Sequence, residues 1–249
     1  MASHLSDVGF SVSSREELEA LILQAVEEGE PRWCSQGCYV VWSPGNGVQL
    51  WAQVNQEGDL VGFAPHFDGP ARLRATITRG VPDREFPLDG SLDCLADPEG
   101  RGDGEGPPFL LDLPDAALAL AGLSAPTEGL LQVAAFAHDL RCHADERAFQ
   151  ASQDQAAVPL APNYFIPAGL FTRDEEERPR AEALFAGRVK VAERLVNPVT
   201  GAPFWAMTVE TLIGDLSVVA EAGLPEGEPV AGGLVEGTFW LSARLVGTA

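Results

Sequence analysis

Turn-forming residues punctuate most of this chain, and they limit its fold more than any other feature. From Cys38 onward, short apolar or alternating runs are separated by Gly, Pro, Asn and Asp about every 8 to 12 residues. Runs of this length, bounded by such residues, are typical of antiparallel strands. Helical segments do not alternate with them, as the crossovers of a parallel sheet would require. The pattern predicts an α+β chain that is mainly antiparallel β.

The strands are expected in two groups. The first group holds residues 38–42, 48–54, 60–64, 71–78, 91–95, 109–113 and 130–142, and the second holds 188–195, 204–212, 216–220 and 238–245. Between the groups, residues 150–163 show no strong period, and the charged run TRDEEERPR at 172–180 follows the apolar FIPAGLF, so the boundary falls within 150–180. We therefore predict an N-terminal helix with an antiparallel β domain at 1–165. A small β-barrel-like or sandwich domain is predicted at 166–249.

One N-terminal helix is predicted at about 14–28. Ser13 and Glu16 have the spacing of a capping box, and Gly29 and Pro31 follow where the helix should end. Apolar residues recur between these signals at helical spacing: Leu18, Leu21, Ile22, Ala25 and Val26. Two shorter predictions are an edge strand at 8–12 and a helical turn at 181–185.

Two stretches of the chain share Pro, Gly, Trp and Ala at the same spacing. They read SPGNGVQLWAQV at 43–54 and NPVTGAPFWAMT at 197–208. The likeness continues through GDL at 58–60 and 214–216, and FDGPARLRA at 67–75 lines up with VEGTFWLSA at 235–243. One explanation is that hairpins reuse the same turn residues, and the other is a duplicated three-stranded meander. Duplication predicts positive φ at Gly47 and Gly201, and it places Trp51 and Trp205 against a core.

Acidity is the strongest compositional signal. The 249 residues include 37 Asp and Glu against 16 Lys and Arg, which gives a formal net charge of −21. This balance disfavours nucleic acid and anionic membranes as partners and steers a basic protein toward the chain. No apolar run approaches the roughly 20 residues that span a bilayer, and residues 1–10 lack a signal-peptide pattern. We therefore expect a cytoplasmic protein whose four cysteines are reduced.

Residues of the types that bind metals occur in two places. Cys34, Cys38, His138, Cys142 and His143 include four possible zinc ligands. In an extended strand, however, His138 and Cys142 would lie about 13 Å apart, too far for one ion. The acidic loop at 97–105 offers carboxylates to Ca²⁺ but lacks the order of an EF-hand: Asp97, Glu99, Asp103 and Glu105. We predict no bound metal and no cofactor.

No catalytic motif stands out. The chain has no Gly-x-Ser-x-Gly sequence, so the candidates for acid–base chemistry are His66, Asp68 and His138. Asp139 follows His138 directly, and neighbours on a strand point to opposite faces. Five tryptophans lie in or beside predicted strands, where packing in a core is more common than stacking on a ligand: Trp33, Trp42, Trp51, Trp205 and Trp240.

Two hypotheses about function follow. The first is a non-enzymatic acidic cytoplasmic binding protein, for example an inhibitor or immunity-type partner of a basic protein. The alternative is a hydrolase-like enzyme or small-molecule binder with its site in a cleft between the two β-rich parts. The sequence identifies no partner, no substrate and no oligomeric state.

Overall fold

The computed structural model describes residues 4–97, 106–154, 158–170 and 179–248. Within these ranges the helices are α1 (Arg15–Glu28), α2 (Ala116–Ala119) and α3 (Glu146–Gln153), with short 3-10 helices at Ser6–Val8 and Ala168–Leu170. The first eight strands are β1 (Glu30–Cys34), β2 (Gly37–Gly45), β3 (Val48–Asn55), β4 (Leu60–Phe67), β5 (Leu73–Pro82), β6 (Gly90–Ala96), β7 (Pro108–Asp112) and β8 (Thr127–Ala137). The others are β9 (Arg141–His143), β10 (Tyr164–Ile166), β11 (Glu182–Val196), β12 (Pro203–Thr211), β13 (Gly214–Glu221) and β14 (Leu234–Thr248). The predicted fold class, α+β with mainly antiparallel β, is confirmed.

The smaller sheet is an antiparallel meander in the order β1-β2-β3-β4. Gly37 and the Asn46-Gly47 pair have positive φ at its first two turns, which allows the chain to reverse tightly. Leu21 and Ala25 of α1 pack on one face of this sheet. The same cluster includes Ala134 and Phe136 of β8, and on the other face His66 contacts β8 and β14 of the larger sheet.

The larger sheet has ten strands and is organised around the long antiparallel pair β8 and β14. One circuit of pairings runs from β14 through β11, β12 and β13 to β8 and back to β14. A second circuit runs from β14 through β7, β6 and β5 to β8. Both circuits therefore close through the same two strands, giving a barrel-like arrangement of mostly antiparallel strands.

One hydrophobic cluster fills the inner side of both circuits. It includes Leu131 and Val133 of β8, Leu241 of β14, Leu92 of β6 and Leu216 of β13. The opposite face of β8 and β14 packs against the small sheet. Strands from both sides of position 165 thus share hydrogen bonds and a core, while the division of the chain into 1–165 and 166–249 stays a prediction.

The N-terminal helix is confirmed, although its cap lies one residue later than predicted. Ser14 is the N-cap, and its side chain accepts a hydrogen bond from the backbone N–H of Glu17. The Glu17 carboxylate accepts hydrogen bonds from the Ser13 backbone and hydroxyl, and these bonds lower its pKa. The Ser-x-x-Glu spacing is therefore used, but by Ser14 and Glu17.

Three local predictions were wrong. Residues 8–12 form no strand, because Ser6–Val8 is a 3-10 helix that ends at Gly9 with a φ of 82°. Residues 181–185 are rich in helix formers, yet Glu182 begins β11, which is paired with β10 and β14. Pairing on both edges outweighs the small differences in helix propensity between residues. Residues 130–142 form parts of two strands, β8 and β9, separated at His138 to Leu140.

Candidate functional site

A layer of polar side chains lies between the two sheets, around His66 of β4. The imidazole is fully buried, with Nδ1 2.9 Å from Ser242 Oγ of β14 and Nε2 in contact with Gln132 Oε1 of β8. The Gln132 amide nitrogen donates to the Phe67 carbonyl at 2.8 Å, so the amide oxygen faces His66. Nε2 therefore carries the proton, and Nδ1 accepts from the Ser242 hydroxyl.

Burial keeps His66 neutral, although the hydrogen bond with Gln132 acts in the opposite direction. Burial lowers the pKa of its imidazole to about 3, and the positive charge of Arg244 acts in the same direction. Both ring nitrogens are engaged by side chains of the protein, which leaves neither of them facing a substrate. The arrangement joins β4 to β8 and β14 and is suited to holding the two sheets together.

The other two acid–base candidates lie elsewhere. Asp68 is exposed beyond the end of β4, and no hydrogen bond joins it to His66 among the described residues. His138 is exposed after β8, with its ring centroid 4.7 Å from that of His4. Partial burial and the neighbouring His4 lower its pKa. The structure does not bring His66, Asp68 and His138 together.

A second polar cluster follows His66 along the space between the sheets and contains Arg32, Trp51, Asp115 and Arg244. Trp51 of β3 is fully buried, and its indole nitrogen donates to Gln49 at 3.2 Å. The guanidinium carbons of Arg32 and Arg244 lie 5.3 Å and 5.4 Å from the centroid of its ring. Two cations thus share one aromatic side chain. We call these four residues the arginine–tryptophan cluster.

The hydrogen bonds of the arginine–tryptophan cluster are incomplete. Arg244 Nε lies 3.6 Å from Asp115 Oδ2, which is an ion pair but too long for a hydrogen bond. Arg244 Nε and Asp115 Oδ1 are both buried without a hydrogen-bond partner. Burial raises the pKa of Asp115, while the charges of Arg244 and Arg32 oppose that change. Buried polar atoms without partners are uncommon in folded proteins, so this place is unusual.

Sequence reasoning missed the arginine–tryptophan cluster, although one signal was present. Residues 238–245 alternate, with Phe239, Leu241 and Ala243 buried in the barrel core. On the other face Arg244 follows Ser242 as the only charged residue of that run. An outward arginine on a predicted barrel strand is usually solvated. Only the packing of the small sheet over this face places it beside Trp51.

The possible metal ligands do not converge. Cys34 packs against the cluster of Tyr39 and Trp51, whereas Cys38 belongs to the cluster of Val40 and Ala52. All four cysteines are free, and burial raises the pKa of Cys142 to about 12. Within the part of the chain that the structure describes, no group of three or more His, Cys, Asp or Glu residues could hold an ion. Glu99, Asp103 and Glu105 lie outside the described residues, and Asp97 is buried.

His143 is a second buried histidine, and it belongs to a paired group. Its Nε2 lies 3.0 Å from Glu236 Oε1, and Arg141 approaches the same oxygen at 3.4 Å. Arg141 and Glu236 are opposite each other in the pairing of β9 with β14. These contacts hold β9 against the end of β14.

A shallow pocket of about 240 Å³ lies where β5, β8 and β14 come together. Its lining includes Arg74, Asp97 and Glu128 together with backbone at Gly129 and Gly247. Among the residues that the structure describes, no His or Cys lines it. The pocket therefore offers charged groups but no histidine base or thiol nucleophile.

The tryptophans differ in exposure. Trp42 and Trp51 are buried, Trp205 and Trp240 are partly buried against the barrel core, and Trp33 is 75 % exposed.

Comparison of the chain with protein-family models, curated proteins and solved structures found no match. Among the helices of the described ranges, none combines the length and apolar character needed to cross a membrane.

Proposed function

We propose that the chain is a non-enzymatic cytoplasmic binding protein whose partner presents a basic surface, as an inhibitor or immunity-type protein does. The observation that carries this proposal is the excess of carboxylates, which gives a net charge of −21. Such a surface attracts a basic partner over distances of about a Debye length, roughly 8 Å at physiological ionic strength, and raises the rate of association.

The use of the basic residues supports the proposal. Several of them are paired with carboxylates within the chain, and because each pair uses one charge of either sign, the excess of 37 acidic over 16 basic residues remains for a partner. The pairs are Arg15 with Glu19, Arg79 with Asp93, Arg141 with Glu226, Arg180 with Glu182, Arg188 with Glu146, Lys190 with Asp215 and Arg244 with Asp115. The engagement of both His66 nitrogens within the protein also favours a binding role over a catalytic one.

Affinity capture tests this function. The immobilised chain is exposed to a lysate of its natural host, washed at low salt and eluted by rising NaCl concentration. An unrelated protein of equal size and net charge serves as the control. We expect a basic protein to elute from the immobilised chain but not from the control protein. The two purified proteins should then form a stoichiometric complex that rising salt weakens. Retention of neutral or acidic proteins only, or equal retention by the control, contradicts the proposal.

A small-molecule binder or hydrolase-like enzyme is the alternative function. The shallow pocket favours it, because β5 and β8 come from the first β-rich part and β14 from the second. Replacing Arg74 and Glu128 by Gln should then abolish turnover or binding found in a screen of ester, amide and phosphate substrates. A screen without any signal, beside successful capture of a basic protein, leaves the first proposal as the better explanation.

A further inference from the structure

We propose that the arginine–tryptophan cluster binds a small phosphate-type oxyanion, inorganic phosphate or a phosphomonoester, at the edge between the two sheets. Arg32 of β1 and Arg244 of β14 come from different sheets and meet at the ring of Trp51. This site is independent of the acidic surface to which we assign the protein partner.

The two guanidinium groups have hydrogen-bond donors to spare. Each carries five N–H donors in a planar fork. A contact with the face of an aromatic ring holds the cation but uses none of these donors. Among the described residues Arg32 forms no ion pair or side-chain hydrogen bond, and Arg244 forms only the 3.6 Å ion pair with Asp115. Planar forks of this kind match the oxygens of phosphate.

Scarcity of carboxylates does not explain these unused donors. The chain has 37 acidic residues, and several other basic residues pair with them closely, for example Arg79 with Asp93 at 2.6 Å and Arg141 with Glu236 at 3.4 Å. At Trp51, by contrast, two positive charges face one carboxylate, that of Asp115. The local balance is therefore positive within a strongly acidic protein, which favours an anion from outside.

The buried atoms without partners specify the chemistry further. Arg244 Nε needs an acceptor, and Asp115 Oδ1, in a residue that is only 8 % exposed, needs a donor. Monohydrogen phosphate, or the monoanion of a phosphomonoester, supplies both, because the P–O⁻ oxygens accept and the P–OH group donates. Sulfate at neutral pH supplies acceptors only. Asp115 is thus expected to favour phosphate over sulfate.

The opening of the site is accessible to a ligand, whereas Arg244 Nε and Asp115 Oδ1 are buried beneath it, so an anion reaches them when the Arg244 side chain moves. Arg32 is exposed, and the side chain of Arg244 keeps 25 % of its surface open. The base of the site is rigid, because Trp51 is buried and Tyr39 beside it donates to the Leu88 carbonyl at 2.6 Å. A buried aromatic base with two cations at the opening is suited to a small ligand.

Isothermal titration calorimetry of the full chain with sodium phosphate, methyl phosphate, sulfate and acetate, at constant ionic strength and pH 7, tests the inference. We expect saturable binding of one phosphate per chain, with sulfate and acetate at least about tenfold weaker. Methyl phosphate that binds more tightly than phosphate identifies a phosphomonoester as the ligand class, and the reverse identifies free phosphate. Arg32→Gln and Arg244→Gln should each weaken phosphate binding at least about tenfold.

Two further variants keep the test decisive. Arg15→Gln, which changes an exposed arginine on α1, should leave binding unchanged. Asp115→Asn should bring sulfate binding close to phosphate binding, because an amide group can donate to either anion. If Arg244→Gln unfolds, the exposed Arg32→Gln decides the question. Absence of saturable phosphate binding, or equal binding by the Arg32→Gln variant, overturns the proposal whatever the outcome of partner capture.

Discussion

The two meanders that share sequence letters follow the same path but lie in different surroundings. In both, the turn and two strands of the predicted repeat pair in chain order with the strand before them, as β2-β3-β4 and β11-β12-β13. The third strand of the predicted repeat does not continue either meander: β5 lies in the larger sheet beside β6 and β8, and β14 pairs with β11 and β8. Trp51 lies opposite Ala64 in the first meander, and Trp205 lies opposite Ala220 in the second. The predicted positive φ is confirmed at Gly47, with 76°, and at Gly201, with 73°.

The turns and the burial of the tryptophans differ. The first hairpin closes with two residues, Asn46 and Gly47, because Gly45 pairs with Val48. The second closes with six, residues 197–202, since Val196 pairs with Pro203. Trp51 is fully buried between the sheets, whereas Trp205 is partly buried against the barrel core. The shared residues thus accompany the same strand pairing, whereas the sheets packed around each hairpin determine its turn and the burial of its tryptophan.

The two hairpin ends also touch each other. The Asn46 side chain donates to the Val196 carbonyl at 2.8 Å, and Gly45 lies beside Pro198. Duplication of the meander stays a hypothesis, because neither the pairing order nor this contact requires a common origin. Variants at matching positions of the two meanders test which contributions to stability they share.

The largest difference is expected at the tryptophans. Trp51→Ala should lower the free energy of unfolding by about 3 to 5 kcal/mol, because it empties a fully buried site. Trp205→Ala should cost roughly half as much, since that side chain keeps contact with solvent. Guanidinium unfolding of both variants measures the two losses. Equal losses would mean that the meanders are energetically alike despite their different layers.

Dependence on pH should distinguish the first meander, which ends near His66, from the second. The folded pKa of about 3 is below the ordinary histidine value of 6.5, so the unfolded chain takes up the proton first as pH falls. This contribution to stability is complete above pH 6.5 and is lost between pH 6.5 and pH 3. It amounts to a few kcal/mol, on the order of 1.4 kcal/mol for each pKa unit.

Unfolding curves between pH 4 and pH 8 check this slope. His66→Gln is expected to be less stable than the wild type at pH 7. Its free energy of unfolding should fall much less than that of the wild type between pH 7 and pH 4. The control His138→Gln changes an exposed histidine, and its free energy of unfolding should fall toward pH 4 nearly as much as that of the wild type. A wild-type slope that persists in His66→Gln would assign the pH dependence to other groups.

Valine at the two turn glycines tests the shared backbone conformation. Positive φ strains any side chain by about 1 to 2 kcal/mol, so both Gly47→Val and Gly201→Val should destabilise the fold. A Cβ at Gly47 would lie 2.7 Å from the Phe67 ring, whereas one at Gly201 meets nothing within 4 Å. Gly47→Val should therefore cost roughly 1 kcal/mol more. Thermal unfolding of both variants ranks them, and the reverse order contradicts the described turns.

The contact between the hairpin ends should have the smallest effect. Asn46→Gly keeps a residue that tolerates the φ of 50° but removes the donor to Val196. Because the bond is exposed, we expect a loss of about 0.5 to 1 kcal/mol in the free energy of unfolding. Asn46→Asp, which also lacks the donor, should give a similar loss. An unchanged stability in both variants would show that the meanders pack without this bond.

The sequence predicted those parts of the fold that depend on neighbouring residues. Turn residues bounded β2, β3, β12 and β13 within a few positions, and the helix signals located α1. It missed β1, in which Pro31 argues against a strand, although an edge position accommodates that residue. The start of β11 was missed because its partners β10 and β14 are distant in the sequence.

The candidate site was less predictable than the fold for the same reason. His66 was identified from its residue type, but its partners Gln132 and Ser242 are 66 and 176 positions away. The arginine–tryptophan cluster joins Arg32 to Arg244 through the packing of one sheet on another. Local periodicity shows which face of a strand is polar but does not indicate what covers that face.

The position of β14 in the chain has a consequence for biosynthesis. Both circuits of the large sheet close through β14, and β14 follows β5, β7, β8 and β11 in chain order. During translation those strands leave the ribosome before the strand that completes their pairing has been made. Non-local pairings form slowly, and strand edges that are still unpaired can associate with other chains. The interval before β14 emerges is therefore the period in which a nascent chain is most exposed to misassociation and to capture by chaperones.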